Sequence, residues 1–495
     1  VVKSYLAAKG RRAERLLLQK MLLQKVFLQN TAAKAVFHFT GGLKLMNGPW
    51  SIERNCEGNL EFGGCDLTAL AKTYGTPLYV MNEDIVRNNA KKYSKSLGLH
   101  YPNSDVAYAC KAFMCGWMCE IAMEEALFLD VVSGGELYAA TKAGFPSERI
   151  LFHGNNKSPQ EIEMGISLDV GRFVIDSYYE IELLDYFAGR LNKNIDVLIR
   201  VSPGVEAHTH QYIETGTIDS KFGFPMTNKE CFRALENVLS SKRLSFKGFH
   251  SHIGSQILRL DGPILAAKKM VGLISEARKA FGIETEELDL GGGLGISYTE
   301  YDNPPSIETY VGTITETVKA SCEELGVPLP KLYLEPGRSI VGEAGLTLYT
   351  VGSIREIPGV KTYVCVDGGM TDNPRPALYQ SVYTVVPAAF GSNGSLPLRP
   401  ICLAGKCCES GDIIVRECNI PPVKSGDVLA VLSTGAYNYS MSSNYNGLPR
   451  PEVVAVSKGS SKTIVRRESY ADLTSKDVTF AGETHRPVGK NAQLA

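Results

Sequence analysis

Lys111 lies in Tyr108-Ala109-Cys110-Lys111-Ala112-Phe113, among apolar neighbours and just past the β-branched run 106–109. Desolvation there would lower its pKa and free a neutral amine to form a Schiff base with an aldehyde cofactor. A solvated rim lysine is the plainer alternative, so the surrounding residues must decide. Asp289-Leu290-Gly291-Gly292-Gly293-Leu294-Gly295 offers backbone N–H groups free of side chains, able to wrap an anion, although tight turns use glycine too. Glu335-Pro336-Gly337-Arg338 forms a second such loop, and a carboxylate at Glu335 could keep a pyridine nitrogen protonated, which improves the ring as an electron sink. His252, in His250-Ser251-His252-Ile253-Gly254-Ser255, could stack on that ring. Cys407-Cys408-Glu409-Ser410-Gly411-Asp412 places a thiol able to donate a proton beside a carboxylate. Tyr437, in Gly435-Ala436-Tyr437-Asn438-Tyr439-Ser440, adds a phenol. Arg375, in Asp372-Asn373-Pro374-Arg375-Pro376-Ala377-Leu378-Tyr379, adds a fork for a carboxylate.

Positioning these groups requires repeated elements. Between about 105 and 335, short β-branched runs alternate with helical stretches: 106–109, 129–132, 150–152, 173–175, 197–199, 246–249, 288–290 and 332–334. Eight runs suffice to close a barrel. Each is followed by a polar or glycine-rich element: Lys111, Ser133-Gly134-Gly135, His153-Gly154-Asn155, Asp176, Arg200, His252, Gly291-Gly292-Gly293 and Glu335. That is the C-terminal mouth of a (β/α)₈ TIM-like barrel, where phosphate sites use the loops after strands seven and eight. An open doubly wound sheet would also gather polar groups at its strand ends. The fold class expected is α/β, with the barrel over 83–340. A C-terminal β-rich domain over 341–480 follows from strand-like runs at 346–351, 362–366, 382–386, 412–416, 427–432, 453–456 and 463–465. Residues 46–82, with a strand-like 77–80, are expected to pack with the β domain, and 481–495 form a tail.

Composition sets outer bounds. The 495 residues, 44% hydrophobic and 21% charged, describe a globular chain with a large core. A net charge of −1 predicts neither a nucleic-acid nor a membrane partner. Twelve cysteines without paired C-x-x-C knuckles suit a reducing compartment, and Cys110, Cys115 and Cys119 are expected in the core rather than on metal. The location expected is the cytoplasm. Residues 1–45 are rich in Lys, Arg and Leu, with Glu14 the only acid; as a transit peptide they would direct the chain to a plastid or other organelle. Met21 and Met46 are equally usable starts.

Taken together, from about Gly64 to Ser469, these motifs resemble the group IV pyridoxal-phosphate decarboxylases of alanine-racemase-like fold, and within them the diaminopimelate decarboxylases. The most specific pieces are Gly204-Val205-Glu206-Ala207-His208-Thr209-His210, Lys221-Phe222-Gly223, the His250 and Asp289 segments, Glu335 to Arg338, and the stretches carrying Arg375 and Cys408. The resemblance implies that Lys111 carries pyridoxal 5′-phosphate, His252 stacks on it, and Ser255, Gly293, Pro336, Gly337, Arg338 and Tyr437 hold it, with Glu335 at the ring nitrogen. It implies a homodimer with shared active sites, Cys408 and Glu409 entering the neighbour's site and Cys408 serving as proton donor. Arg338, Arg375 and Tyr379 would grip the distal carboxylate of meso-diaminopimelate and Glu409 its ammonium, with Tyr437 alongside. Alternatives are an ornithine- or arginine-type decarboxylase, a racemase (which sets arginine at the ring nitrogen) and an inactive homologue. Ornithine has no distal carboxylate, so two arginines around it would be left unpaired. One departure is Cys407, where the family often has His.

Overall fold

The strand runs close on themselves. In the computed structural model, which describes residues 50–205, 220–389 and 397–478, strands Ser104–Ala109, Phe128–Val131, Ile150–Phe152, Arg172–Ile175, Ile195–Ser202, Leu244–His250, Glu287–Asp289 and Lys331–Leu334 pair in parallel in that order. Lys331–Leu334 pairs back with Ser104–Ala109, so the sheet is an eight-stranded barrel, as expected. The 1–45 extension, the 481–495 tail and Glu206 to His210 lie outside the described residues.

Side-chain alternation explains why both strand faces are apolar. Ala107, Leu151, Val174, Leu198 and Tyr333 form a separate cluster inside the barrel. Their neighbours Val106, Tyr108, Ile150, Phe152, Phe173, Ile175, Val197 and Ile199 pack outward with the helices. Period two with both faces buried gives the near-continuous hydrophobic runs visible in the sequence. One step toward the N-terminal end, the same inward rows carry charge: Arg172 reaches across the barrel to Glu287 (2.6 Å) and to Asp196 (3.0 Å), and Lys331 pairs with Asp105 (2.6 Å). Gly248 permits the closest strand approach, since a Cβ there would lie 1.7 Å from the Glu287 carbonyl oxygen.

Serines mark where the mouth loops turn into helices. Ser133, Ser158, Ser177 and Ser306 cap Gly134–Lys142, Pro159–Ser167, Tyr178–Arg190 and Ile307–Leu325 by accepting a backbone N–H. Ser158 and Glu161 form a reciprocal capping box, and Glu161 also accepts the Gly134 N–H (2.7 Å), tying two successive loops together.

The β-rich part is organised around the long strand Gly345–Ile357, which pairs antiparallel with Lys361–Val366, Val428–Val431 and Leu78–Asn82. Leu78–Asn82 in turn runs parallel to Glu452–Ser457, which makes a hairpin with Ser460–Val465. Two further strands differ from expectation. Arg399–Ala404 was not foreseen, and the 382–386 run is a strand only over Val385–Pro387.

Candidate active site

Carrying each inward row two residues past the apolar middle gives the polar layer of the mouth. Beyond Phe128, Leu151, Val174, Leu198, Gly248 and Tyr333 stand Asp130, His153, Asp176, Arg200, His250 and Glu335, and two residues past the charged Glu287 stands Asp289, all buried. Lys111 occupies the corresponding place past Ala109, in the turn Cys110–Ala112. That turn is fixed from three sides: Tyr108 Oη donates to the Phe113 carbonyl (2.7 Å), the Ala109 N–H to Pro336 (3.2 Å), and the Tyr437 N–H to Ala112 (2.7 Å). The last contact brings the β-domain loop 435–440 onto the lysine turn.

The glycine loop is dictated by backbone proximity. Gly291 has φ +65° and its carbonyl accepts the Glu335 N–H (2.7 Å), while a Cβ on Gly292 would fall 2.1 Å from the Glu335 carbonyl oxygen. The two phosphate-suited loops are therefore stacked, and Pro336-Gly337 leads into the short helix Arg338–Val341.

A cavity of about 400 Å³ opens between these loops. At its floor Glu335 is 5% exposed, with Oε2 3.0 Å from His250 Nε2 and Oε1 2.7 Å from His153 Nε2. Burial alone would raise the Glu335 pKa, but the two histidines hold it well below the usual carboxylate range. Burial also holds the His250 ring down to about 4 and drives His252 well below its ordinary value, the latter reinforced by Lys111 and Arg200. His252 Nδ1 accepts the Gly292 N–H (3.3 Å), which fixes the ring as the Nε2–H tautomer. Lys111 departs from expectation. Burial pulls its pKa down, but Asp130, hydrogen-bonded to its Nζ, together with Glu335 outweighs this and the net shift is upward. The lysine side chain is 39% exposed toward the cavity, so it is a charged rim group rather than a dry neutral amine.

In the same cavity, Arg338 and Arg375 are both buried, and among the described residues neither has a carboxylate partner. Arg338 hydrogen-bonds Ser255 Oγ (2.9 Å) and Tyr298, with its guanidinium 4.8 Å from the Tyr437 ring; Arg375 lies 5.0 Å from the Tyr379 ring. Two buried, uncompensated guanidiniums call for anionic ligand groups.

Lys111, His252, Ser255, Glu335, Arg338, Arg375, Tyr379 and Tyr437 thus line one cavity, and Gly293, Pro336 and Gly337 lie in its loops. Cys408 and Glu409 do not line it. They lie in an exposed turn of the β region, where the Cys408 N–H donates to Asn446 (2.6 Å). Cys407 is buried, its N–H held by Asp412 (2.7 Å) and its thiol raised to about 11 by burial and that carboxylate. Cys110 and Cys119 are buried and Cys115 partly so. The cavity also takes in His153, Arg200, Phe222, His250 and Met441, to which no role had been assigned. The signal for three of them, strand-end position at inward parity, was present in the sequence.

The family model for the pyridoxal-binding domain of pyridoxal-dependent decarboxylases matches residues 83–342. The diaminopimelate decarboxylase of Bacillus subtilis strain 168 is 49% identical over 427 residues, covering 86% of this chain and 97% of that one. The chain belongs to the diaminopimelate decarboxylase family. The M. jannaschii diaminopimelate decarboxylase, solved in complex with L-lysine, superposes with a TM-score of 0.81 at 35% identity, over 86% of this chain and 98% of that one. A Vibrio vulnificus lysine/ornithine decarboxylase, 20% identical with a TM-score of 0.66 over 79% of this chain and 97% of that one, shares the fold. The diaminopimelate decarboxylase reading of the motifs is borne out, and with it a pyridoxal-phosphate-dependent carboxy-lyase of barrel fold.

Proposed function

We propose that this pocket converts meso-2,6-diaminopimelate to L-lysine and carbon dioxide, the lysine-forming step of lysine biosynthesis, with pyridoxal 5′-phosphate carried on Lys111. The observation that carries the reading is the presence, in one cavity, of the Lys111 amine and the buried, charge-stabilised Glu335. The donor set fits the cofactor: an amine for its aldehyde, a carboxylate for its ring nitrogen, and glycine loops with Ser255 and Arg338 for its phosphate. Bound there, the cofactor supplies the electron sink for the carbon–carbon bond that breaks.

The chain's own residues do the rest. Ser255, Gly293, Pro336, Gly337, Arg338 and Tyr437 would hold the cofactor, His252 would stack on its ring, and Glu335 would keep a proton at the ring nitrogen. Arg375, Arg338 and Tyr379 receive the distal carboxylate, which a simple diamine precursor lacks; a buried Arg375 left without an anion would oppose ornithine. In a homodimer with shared active sites, Cys408 and Glu409 of a second copy complete each cavity, Glu409 pairing with the distal ammonium and Cys408 delivering the proton that replaces carbon dioxide. The exposed position of that turn is compatible with such a role. The cytoplasm is the proposed location; among the described residues no helix is long and apolar enough to cross a membrane.

The test is borohydride reduction of the holoprotein followed by peptide mapping, with carbon dioxide and lysine release assayed from meso-diaminopimelate and from ornithine. Label on Lys111 and turnover of diaminopimelate alone are expected. Label on another residue, or equal turnover of ornithine, refutes the assignment.

A further inference from the structure

Asp289 ends the seventh barrel strand at the inward position and is fully buried, at 0% exposure. Its Oδ1 accepts the Gly291 N–H (2.8 Å), but its Oδ2 has no hydrogen-bond donor, and among the described residues no lysine or arginine forms an ion pair with it. Its neighbour is another carboxylate. One polar atom from each of Asp289, Glu335, His153 and His250 lies within 4.8 Å of the others. Lys111, which lines the same cavity, is engaged with Asp130.

Two carboxylates this close in a buried site cannot both be ionised: at about 4 Å and an effective dielectric near 20 their repulsion is about 4 kcal/mol, before either pays for leaving water. One proton must stay, and the donors around each group decide where. Glu335 has an imidazole nitrogen close to each oxygen, His250 Nε2 hydrogen-bonded to Oε2 at 3.0 Å and His153 Nε2 2.7 Å from Oε1 without hydrogen-bond alignment, whereas Asp289 accepts one backbone N–H and has no donor at Oδ2. Charge is therefore better placed on Glu335 and the proton on Asp289. The electrostatic directions agree: burial first, then Glu335, push Asp289 well above the carboxylate range, while the histidines hold Glu335 well below it.

We propose that Asp289 is a neutral carboxylic acid donating its proton to Glu335, a positioning residue that leaves Glu335 as the single negative charge of this carboxylate pair. Together with the His250 hydrogen bond to Oε2 and the His153 ring nitrogen 2.7 Å from Oε1, it fixes the Glu335 carboxylate in place, so that Glu335 does not itself take up the shared proton. The consequence for turnover rests on the reading of Glu335 as partner of the ring nitrogen; the protonation of Asp289 does not.

The experiment separates the two. Infrared difference spectroscopy of cofactor-free protein should show a deuterium-sensitive carboxylic-acid carbonyl band that vanishes in Asp289→Asn and persists in Lys111→Ala. Asparagine matches a protonated aspartate in shape, neutrality and donor, so Asp289→Asn should keep most of kcat and bind pyridoxal phosphate as the parent does. Asp289→Ala should lower kcat roughly ten- to hundredfold with little change in KM, the loss of one hydrogen bond to a charged acceptor. Loss of a carboxylate band instead of the acid band in Asp289→Asn, or an asparagine variant as impaired as the alanine one, would overturn the proposal. So would a stoichiometric divalent cation retained by the cofactor-free protein and lost in Asp289→Asn. If the acid band is present but Glu335→Gln leaves the absorbance of the bound cofactor unchanged, the protonation stands and the assignment of Glu335 to the ring nitrogen fails.

Discussion

Burial keeps the His250 ring neutral at about 4, although Glu335 attracts its charged form. An unfolded chain protonates the same ring near 6.5, so between those values the unfolded state binds the extra proton. The contribution of His250 to stability is thus complete above pH 6.5 and is lost as pH falls toward 4, amounting to about 2 kcal/mol by pH 5. His250→Gln, which keeps a neutral donor toward Glu335, should flatten the fall in unfolding free energy of the cofactor-free protein between pH 7 and pH 5; an unchanged slope would count against a neutral buried ring. Arg375 makes a second prediction at this scale. Its Nε has no hydrogen-bond partner, and it stacks between Tyr379 and Tyr437. Arg375→Ala should reduce kcat/KM for diaminopimelate roughly 100-fold or more, as expected for removing one side of a buried charge pair. Steady-state kinetics on a variant of parental thermal stability will show it.

Elements hold the mouth by local devices that can be removed singly. Ser158 caps Pro159–Ser167, while Glu161 closes the box and reaches Gly134 at the cap of the preceding helix. Ser158→Ala should cost about 1 kcal/mol in denaturant unfolding without displacing the site, since the lost bond lies outside the cavity. The same scale shows why the barrel strands were legible and one β-domain strand was not. A parallel strand buried on both faces leaves a short, largely apolar run, and the eight runs counted in the sequence coincide with the eight barrel strands. Arg399–Ala404 carries Pro400 and follows Pro397, which argue against a strand. It forms because its parallel pairing to Lys361–Val366 begins only at Cys402, where no proline lacks a donor. The upward shift of the Lys111 pKa is hidden from the sequence for a related reason: desolvation can be read from apolar neighbours in sequence, but Asp130, nineteen positions away, acts only through space.

At the scale of the whole molecule, the cavity is built by one region and closed by another. The barrel supplies Lys111, His252 and Glu335, and the β-rich region supplies Arg375, Tyr379 and Tyr437. Cys408 and Glu409 lie outside the cavity of their own chain, which motivates a test of sharing between copies. Lys111→Ala and Cys408→Ser proteins, each inactive alone, should regain about a quarter of parental activity when unfolded and refolded together, because half of a random two-fold population is hybrid with one intact site per dimer. No recovery in a refolded, mixed population would refute shared sites.

Sequence by itself determined the barrel and most of the site, because period-two burial forces polar residues at inward parity to the strand ends, and glycine is required where backbone approaches backbone. It also gave the family, through motifs whose spacing follows those constraints. Only the tertiary structure decided how these groups act on one another: that Asp130 charges Lys111, that His153 and His250 hold Glu335 ionised, and that Asp289 lies against it. Electrostatic energy depends on distance across the barrel and on burial, and neither is a function of separation along the chain.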